Sequence, residues 1–148
     1  MSVGRALSQR NLIGESMREH NITVGDTALH VVEHGEGPPL LFVVGLGGRA
    51  EFWHRQMDRF GNAFSTISFD HRKTGDSLPS DVKTTVEVLA NDAVALLDAL
   101  GVERATVVGH SLGGAIAQHM AIHAPERVAA LVLSASWCCA CAERPATD

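Results

Sequence analysis

One octapeptide constrains this chain more than any other stretch: Val107-Val108-Gly109-His110-Ser111-Leu112-Gly113-Gly114, where an apolar β-branched run stops at a serine held between glycines. A strand ending near Val108 has to turn sharply into a helix starting near Leu112. That turn puts Ser111 at the apex in a cramped backbone conformation, with its hydroxyl pushed out from the sheet edge. Glycine at 109 and 113 removes the Cβ atoms that would collide across it. The first amides of the new helix have no intrahelical partners and point to the same spot, so negative charge developing on a substrate oxygen finds donors there. These residue types at this spacing suit acyl transfer, with Ser111 as candidate nucleophile. A chain with 14 Gly can also carry the bare pattern as an ordinary tight turn. The flanks favour the elbow: Thr106-Val107-Val108 reads as a short buried strand, and Ala115, Ile116, Ala117, Met120 and Ala121 continue as a helix with a small-residue face.

The bounds around this stretch are those of one globular domain. A formal net charge of -5, with neither a basic patch nor a long charge run, argues against nucleic acid and acidic membrane surfaces as partners. Apolar runs fall far short of the ~20 residues of a membrane span, and Met1 to His20 is too polar for a signal peptide, so the expected location is cytoplasmic. Cys138, Cys139 and Cys141 are the whole cysteine complement. Their clustering argues against a disulfide framework, and with no second ligand pair nearby neither a metal nor a cofactor is expected.

Along the chain, residues 1–18 read as a loosely ordered lead. Asn21-Ile22-Thr23-Val24 and Ala28 to Glu33 flank the turn dipeptide Gly25-Asp26 and predict a hairpin, on which His30 and His34 read as ordinary strand histidines. Leu40 to Val44 is a continuous apolar strand that runs into Gly45-Leu46-Gly47-Gly48. This second glycine turn lacks the Lys-Ser/Thr ending of a phosphate-binding loop; the Leu46 amide is free to donate into a site, which favours an oxyanion role. Thr66 to Phe69 predicts another strand, followed by a loop that Asp70 and Arg72 tie together as a charge-assisted pair. Thr84-Thr85-Val86-Glu87 has the form of a capping box, and the helix behind it stops at Gly101. Pro125 ends the helix after Ser111, and 128–133 reads as one more buried strand. Alternation of this kind predicts an α/β fold: a mostly parallel sheet with helices on both faces and an N-terminal hairpin. Leu46, Asp70 and Ser111 then fall at the carboxyl ends of strands, where sites in such sheets lie.

Four features together resemble the α/β-hydrolase superfamily over Ile22 to Trp137: the 109–114 elbow, the Val44-Gly45-Leu46-Gly47 turn leading to Trp53, the Asp70-His71-Arg72 loop, and the Pro125-Glu126-Arg127-Val128 strand entry. Among its branches the chain looks most like the small esterases and lactonases that include 3-oxoadipate enol-lactonases and aminoacrylate hydrolases. The resemblance implies Ser111 as nucleophile, the backbone amides of Leu46 and Leu112 as oxyanion hole, and a small-molecule acyl substrate. Val44 departs from the pattern where the family usually has His or another polar residue, and Lys73 where it usually has Gly.

In that family an Asp or Glu and then a His follow the serine, on loops after later strands. Residues 112–148 hold no such pair. Of the histidines present, His71 reads as a solvated loop residue, His110 as a ring turned away from the apex, and His119 and His123 as helix-surface or satisfied packing residues. From Cys138 the periodicity vanishes and the composition turns to Cys, Ala, Arg and Pro. The expected organisation is therefore a lead over 1–18, a partial α/β-hydrolase domain over 19–137 with its core cut after the 128–133 strand, and an irregular tail over 138–148 that reads as frameshifted near codon 137. The last strand would be an exposed apolar edge prone to self-association. Two functions follow: a serine hydrolase of small esters, lactones or related acyl compounds, or a non-catalytic remnant of one.

Overall fold

In the computed structural model, which describes residues 17–138, the apolar run Pro39–Val43 forms strand β3 in the middle of a sheet, and its alternate side chains enter two separate cores. Leu41 and Val43 pack on one face. Leu40 and Phe42, followed by Val44, pack on the other. This period of two lets a continuous apolar strand satisfy a sheet covered on both sides. The sheet has six strands: β1 Arg18–Val24, β2 Thr27–His34, β3, β4 Ser65–Phe69, β5 Ala105–His110 and β6 Val128–Ser134, in the spatial order β1-β2-β4-β3-β5-β6. β4, β3, β5 and β6 run parallel, with Leu41 level with both Ile67 and Val107. β1 and β2 form the expected hairpin around Gly25-Asp26, and β2 pairs antiparallel with β4.

Helix α2, Val86–Ala99, and helix α3, Leu112–His123, cover the Leu41 and Val43 face. A 3₁₀ turn at Ala50–Trp53 and helix α1, His54–Phe60, cover the opposite face, where Trp53 stacks on Phe42 with ring centroids 4.9 Å apart. Leu89, Ala93, Leu96, Ile116 and Met120 are among the side chains fully withdrawn from water, each large one worth about 1.5–3 kcal/mol.

Several expectations shift at this level. β1 begins at Arg18, inside the stretch read as lead; the rest of that lead, 1–16, and the tail over 139–148 lie outside the described residues. The N-cap of α2 is Thr85, not Thr84: its hydroxyl accepts the Val88 amide at 3.2 Å, and Glu87 falls within the first turn where it meets the helix dipole. β6 is not a buried strand. Only Val128 is buried, while Leu131, Val132 and Leu133 of this edge strand, which pairs with β5, are 37%, 48% and 46% exposed. Among the described residues no helix is long and apolar enough to cross a membrane.

Candidate active site

Three neighbouring strands end at one edge of the sheet, and each delivers one of the residues singled out by the sequence. β5 delivers Ser111, β3 the Gly45–Gly48 turn, and β4 the Asp70 loop. After β3 the chain moves to β4 on one side, and later to β5 on the other. The crevice between β3 and β5 is therefore the topological switch point, where ligands bind in open sheets of this type.

Ser111 stands between β5 and α3 with φ +53 and ψ -121, a conformation that costs a non-glycine residue about 1–3 kcal/mol. The surroundings over-determine it. Its amide donates to Ser134 O at 3.0 Å, and its carbonyl accepts from Gly114 N at 2.9 Å and from Ser136 Oγ at 3.0 Å. Glycine is required on both sides of the apex. A Cβ on Gly109 would lie 2.6 Å from Gly114 Cα, and one on Gly113 would lie 2.6 Å from the Val43 carbonyl carbon. The turn after β3 closes through Gly48 N to Gly45 O at 3.1 Å, with the φ of +70 at Gly47 that a type II turn needs at its third residue. It abuts the elbow: a Cβ on Gly45 would sit 3.1 Å from Ser111 Cβ. Leu46 projects its side chain into solvent, 86% exposed, at the rim of this crevice.

The histidines that the sequence offered as candidate bases are engaged away from the serine. The His110 ring stacks on Phe52 at 5.3 Å and meets Trp53 edge-on at 6.5 Å, with Nδ1 3.5 Å from Ser134 Oγ. His119 and His123 lie with ring centroids 4.1 Å apart on α3. Among the described residues no hydrogen bond reaches the Ser111 hydroxyl. His71 is not the solvated loop residue that the sequence suggested. It is 4% exposed, and its Nε2 donates to the Val44 carbonyl at 2.8 Å. Burial holds its pKa below the ordinary 6.5, against the opposing pull of the Val44 bond and the Asp92 and Asp70 carboxylates.

Asp70 and Arg72 both tie the loop, but not to each other. Asp70 accepts the amides of Ala50 at 2.7 Å and Asp76 at 2.8 Å, linking this loop to the 3₁₀ turn that follows β3. Arg72 turns the other way and grips Asp92 of α2 in a buried two-pronged pair, 2.6 Å at each nitrogen, which raises its already high pKa further. Adjacent positions on a loop face different ways, so a sequence spacing of two could not reveal these partners. Lys73 adopts φ +62, so it keeps the left-handed conformation that glycine takes freely, at a cost on the order of 1 kcal/mol. His30, Asp70 and Asp76 bring ligand atoms within 4.8 Å of one another. Arg49 already pairs with Asp76 and approaches Asp70, so a cation there would have to displace a guanidinium. An open depression lined by Asp98, Gly101, Val102, Glu103 and Arg127 lies at the opposite, amino-terminal ends of β5 and β6.

The family model for the alpha/beta hydrolase fold matches residues 38–147. The chain belongs to the α/β-hydrolase family. RutD of Azorhizobium caulinodans, provisionally named a carbamate hydrolase, is 39% identical over 113 residues, covering 76% of this chain and 43% of that protein. A solved enzyme described as degrading N-acyl homoserine lactones, Est816, superposes with TM-score 0.76 at 31% identity, over 79% of this chain and 45% of its own. An epoxide hydrolase of Vigna radiata gives TM-score 0.76 at 28% identity, over 79% of this chain and 39% of its own. The chain thus spans under half the length of the relatives it matches.

Proposed function

We propose that Ser111 is the nucleophile, and the Leu46 and Leu112 amides the oxyanion hole, of a serine hydrolase acting on a small ester, lactone or related acyl compound. The observation that carries this reading is the strained Ser111 backbone at the head of α3, facing the glycine turn after β3. Strain at a serine on a helix N-terminus, φ +53 here, is what a hydroxyl presented for attack entails. Attack of Oγ on the acyl carbon pushes charge onto the acyl oxygen, and two backbone amides aimed there are worth several kcal/mol in the transition state. The alcohol or amine then leaves, and water releases the acid. The carbamate in the name of the RutD relatives is a substrate of this related acyl kind. The reading keeps a cytoplasmic setting, a small-molecule substrate, and no cofactor, metal, nucleic-acid or membrane partner.

The proton acceptor is the open part. Every histidine described near the site is held elsewhere, so in this reading the imidazole and its acid come from outside residues 17–138. That same observation favours a second reading, in which the 148 residues bind an acyl compound without turning it over. One experiment addresses both: hydrolysis of p-nitrophenyl acetate by the chain and its Ser111→Ala variant, with and without added imidazole as an external base. The proposal expects a Ser111-dependent rate when imidazole is present, and no such rate even then overturns it. A Ser111-dependent turnover above about 1 per second without imidazole, within the range of working enzymes, overturns the binding-only reading.

A further inference from the structure

Two buried side chains of the neighbouring loop flank the glycine turn that faces Ser111: Asp70 accepts the Ala50 amide beyond it, and His71 reaches the residue that leads into it. Val44, the residue that leads into it, is apolar and brings no side-chain hydrogen bond of its own. Its carbonyl accepts from His71 Nε2 at 2.8 Å. Because a carbonyl oxygen only accepts, the proton of the neutral ring sits on Nε2, leaving Nδ1 as a lone pair. That Nδ1 is buried and has no hydrogen-bond partner, and the ring packs edge-on against Phe69 with centroids 5.4 Å apart. A buried polar atom left unmet is unfavourable, so the bond at the other nitrogen is what an imidazole offers here over a leucine of similar size. The adjacent carboxylates are committed elsewhere: Asp92 to Arg72, and Asp70 to the Ala50 and Asp76 amides with Arg49 nearby.

We propose that His71 is a positioning residue: the hydrogen bond from its Nε2 to Val44 O fixes the Val44–Gly45 peptide and, through the four-residue turn, aims the Leu46 amide at an acyl oxygen held over Ser111. This deepens the serine-hydrolase reading and rests on it. The link is short, since Gly45 follows directly and lies against the Ser111 side chain. Without the bond the Val44 carbonyl stays buried, and the turn must shift to find another donor or water.

The test compares the 148-residue chain with His71→Leu, which keeps the bulk, and His71→Gln, whose side-chain amide restores a donor at similar reach. Hydrogen exchange is followed at the Gly48 amide, which closes the turn onto Gly45 O, and at the Val107 amide in the sheet centre. The expected result is a loss of protection at Gly48 of about tenfold relative to Val107 in His71→Leu, the worth of one buried hydrogen bond, and recovery in His71→Gln. The Ser111-dependent, imidazole-assisted rate should fall with it and recover with it, with KM unchanged. Equal losses at both amides, or no loss at Gly48, overturn the proposal, because His71 would then be a packing residue only. If Ser111 is silent in all three proteins, the hydrolase reading falls, and with it the catalytic purpose of the bond; the exchange data then report separately whether His71 holds the turn.

Discussion

Gly113→Ala is the substitution on which helix propensity and tertiary structure disagree in sign. Gly113 lies in the first turn of α3, with an ordinary helical φ, and replacing glycine by alanine inside a helix is normally worth about 1 kcal/mol of added stability. Here the new Cβ would overlap the Val43 carbonyl oxygen outright, and would lie 2.6 Å from the Val43 carbonyl carbon and 2.7 Å from Val44 O. Ordinary contact begins at 3.4 Å, so even the mildest of these requires about 0.7 Å of separation between α3 and β3 (3.4 minus 2.7). The obstacle is backbone and cannot rotate away. Overpacking of this kind costs about 1–3 kcal/mol, and backbone obstruction belongs at the upper end, so about 2 kcal/mol of net destabilisation remains after the propensity gain. At ~3 °C per kcal/mol for a chain of this size, Tm should fall by about 6 °C. Thermal unfolding followed by circular dichroism measures it. A Tm equal to or above that of the parent would mean that α3 does not sit on β3 as closely as described, and the account of the elbow would fail with it.

The remaining expectations probe separate parts of the structure. Arg72→Leu strands the Asp92 carboxylate in the core and should cost about 3–5 kcal/mol, while Arg72→Leu with Asp92→Leu should regain most of it; urea midpoints decide, and equal losses for single and double variants would refute the buried pair. Thr85→Ala removes the cap of α2 and should lose about 1 kcal/mol, whereas Thr84→Ala should lose little; the reverse order would restore the capping box read from the sequence. His71 has a folded pKa below its unfolded value, so it binds fewer protons when folded. Its stabilising share is complete above about pH 6.5 and is lost as pH falls through the lower folded value. His71→Leu should flatten urea stability over that window, and an unchanged pH slope would contradict the assignment. The exposed Leu131, Val132 and Leu133 of β6 should make the chain associate with rising concentration, and Val132→Lys should reduce that in sedimentation; a monodisperse parent would remove the expectation.

Much of the fold was legible from residue order because its causes are local. Apolar runs such as 40–44 have one extended solution, Gly-x-Ser-x-Gly forces a turn between strand and helix, and Pro125 cannot continue a helix. Strand placement, both helix faces and the position of Ser111 followed from these. Boundaries moved by a residue or so where several hydroxyls compete, as at Thr84 and Thr85. The direction in which each loop side chain points did not follow. Asp70 and Arg72 are two residues apart and were expected to meet, yet one reaches across to Ala50 and the other to Asp92. His71, between them, was expected in solvent and is instead buried beneath Val44. Which partners they find depends on which strands stand side by side, and the order β4-β3-β5 brings residues 44, 70 and 111 together over separations of 26 to 67 positions, given by 70 minus 44 and 111 minus 44. The sequence by itself determined that a serine would be presented at a helix head beside glycine. Only tertiary structure decided what holds the facing turn in place, because a hydrogen bond between distant loops is set by the packing of the sheet and leaves no periodic trace in the chain.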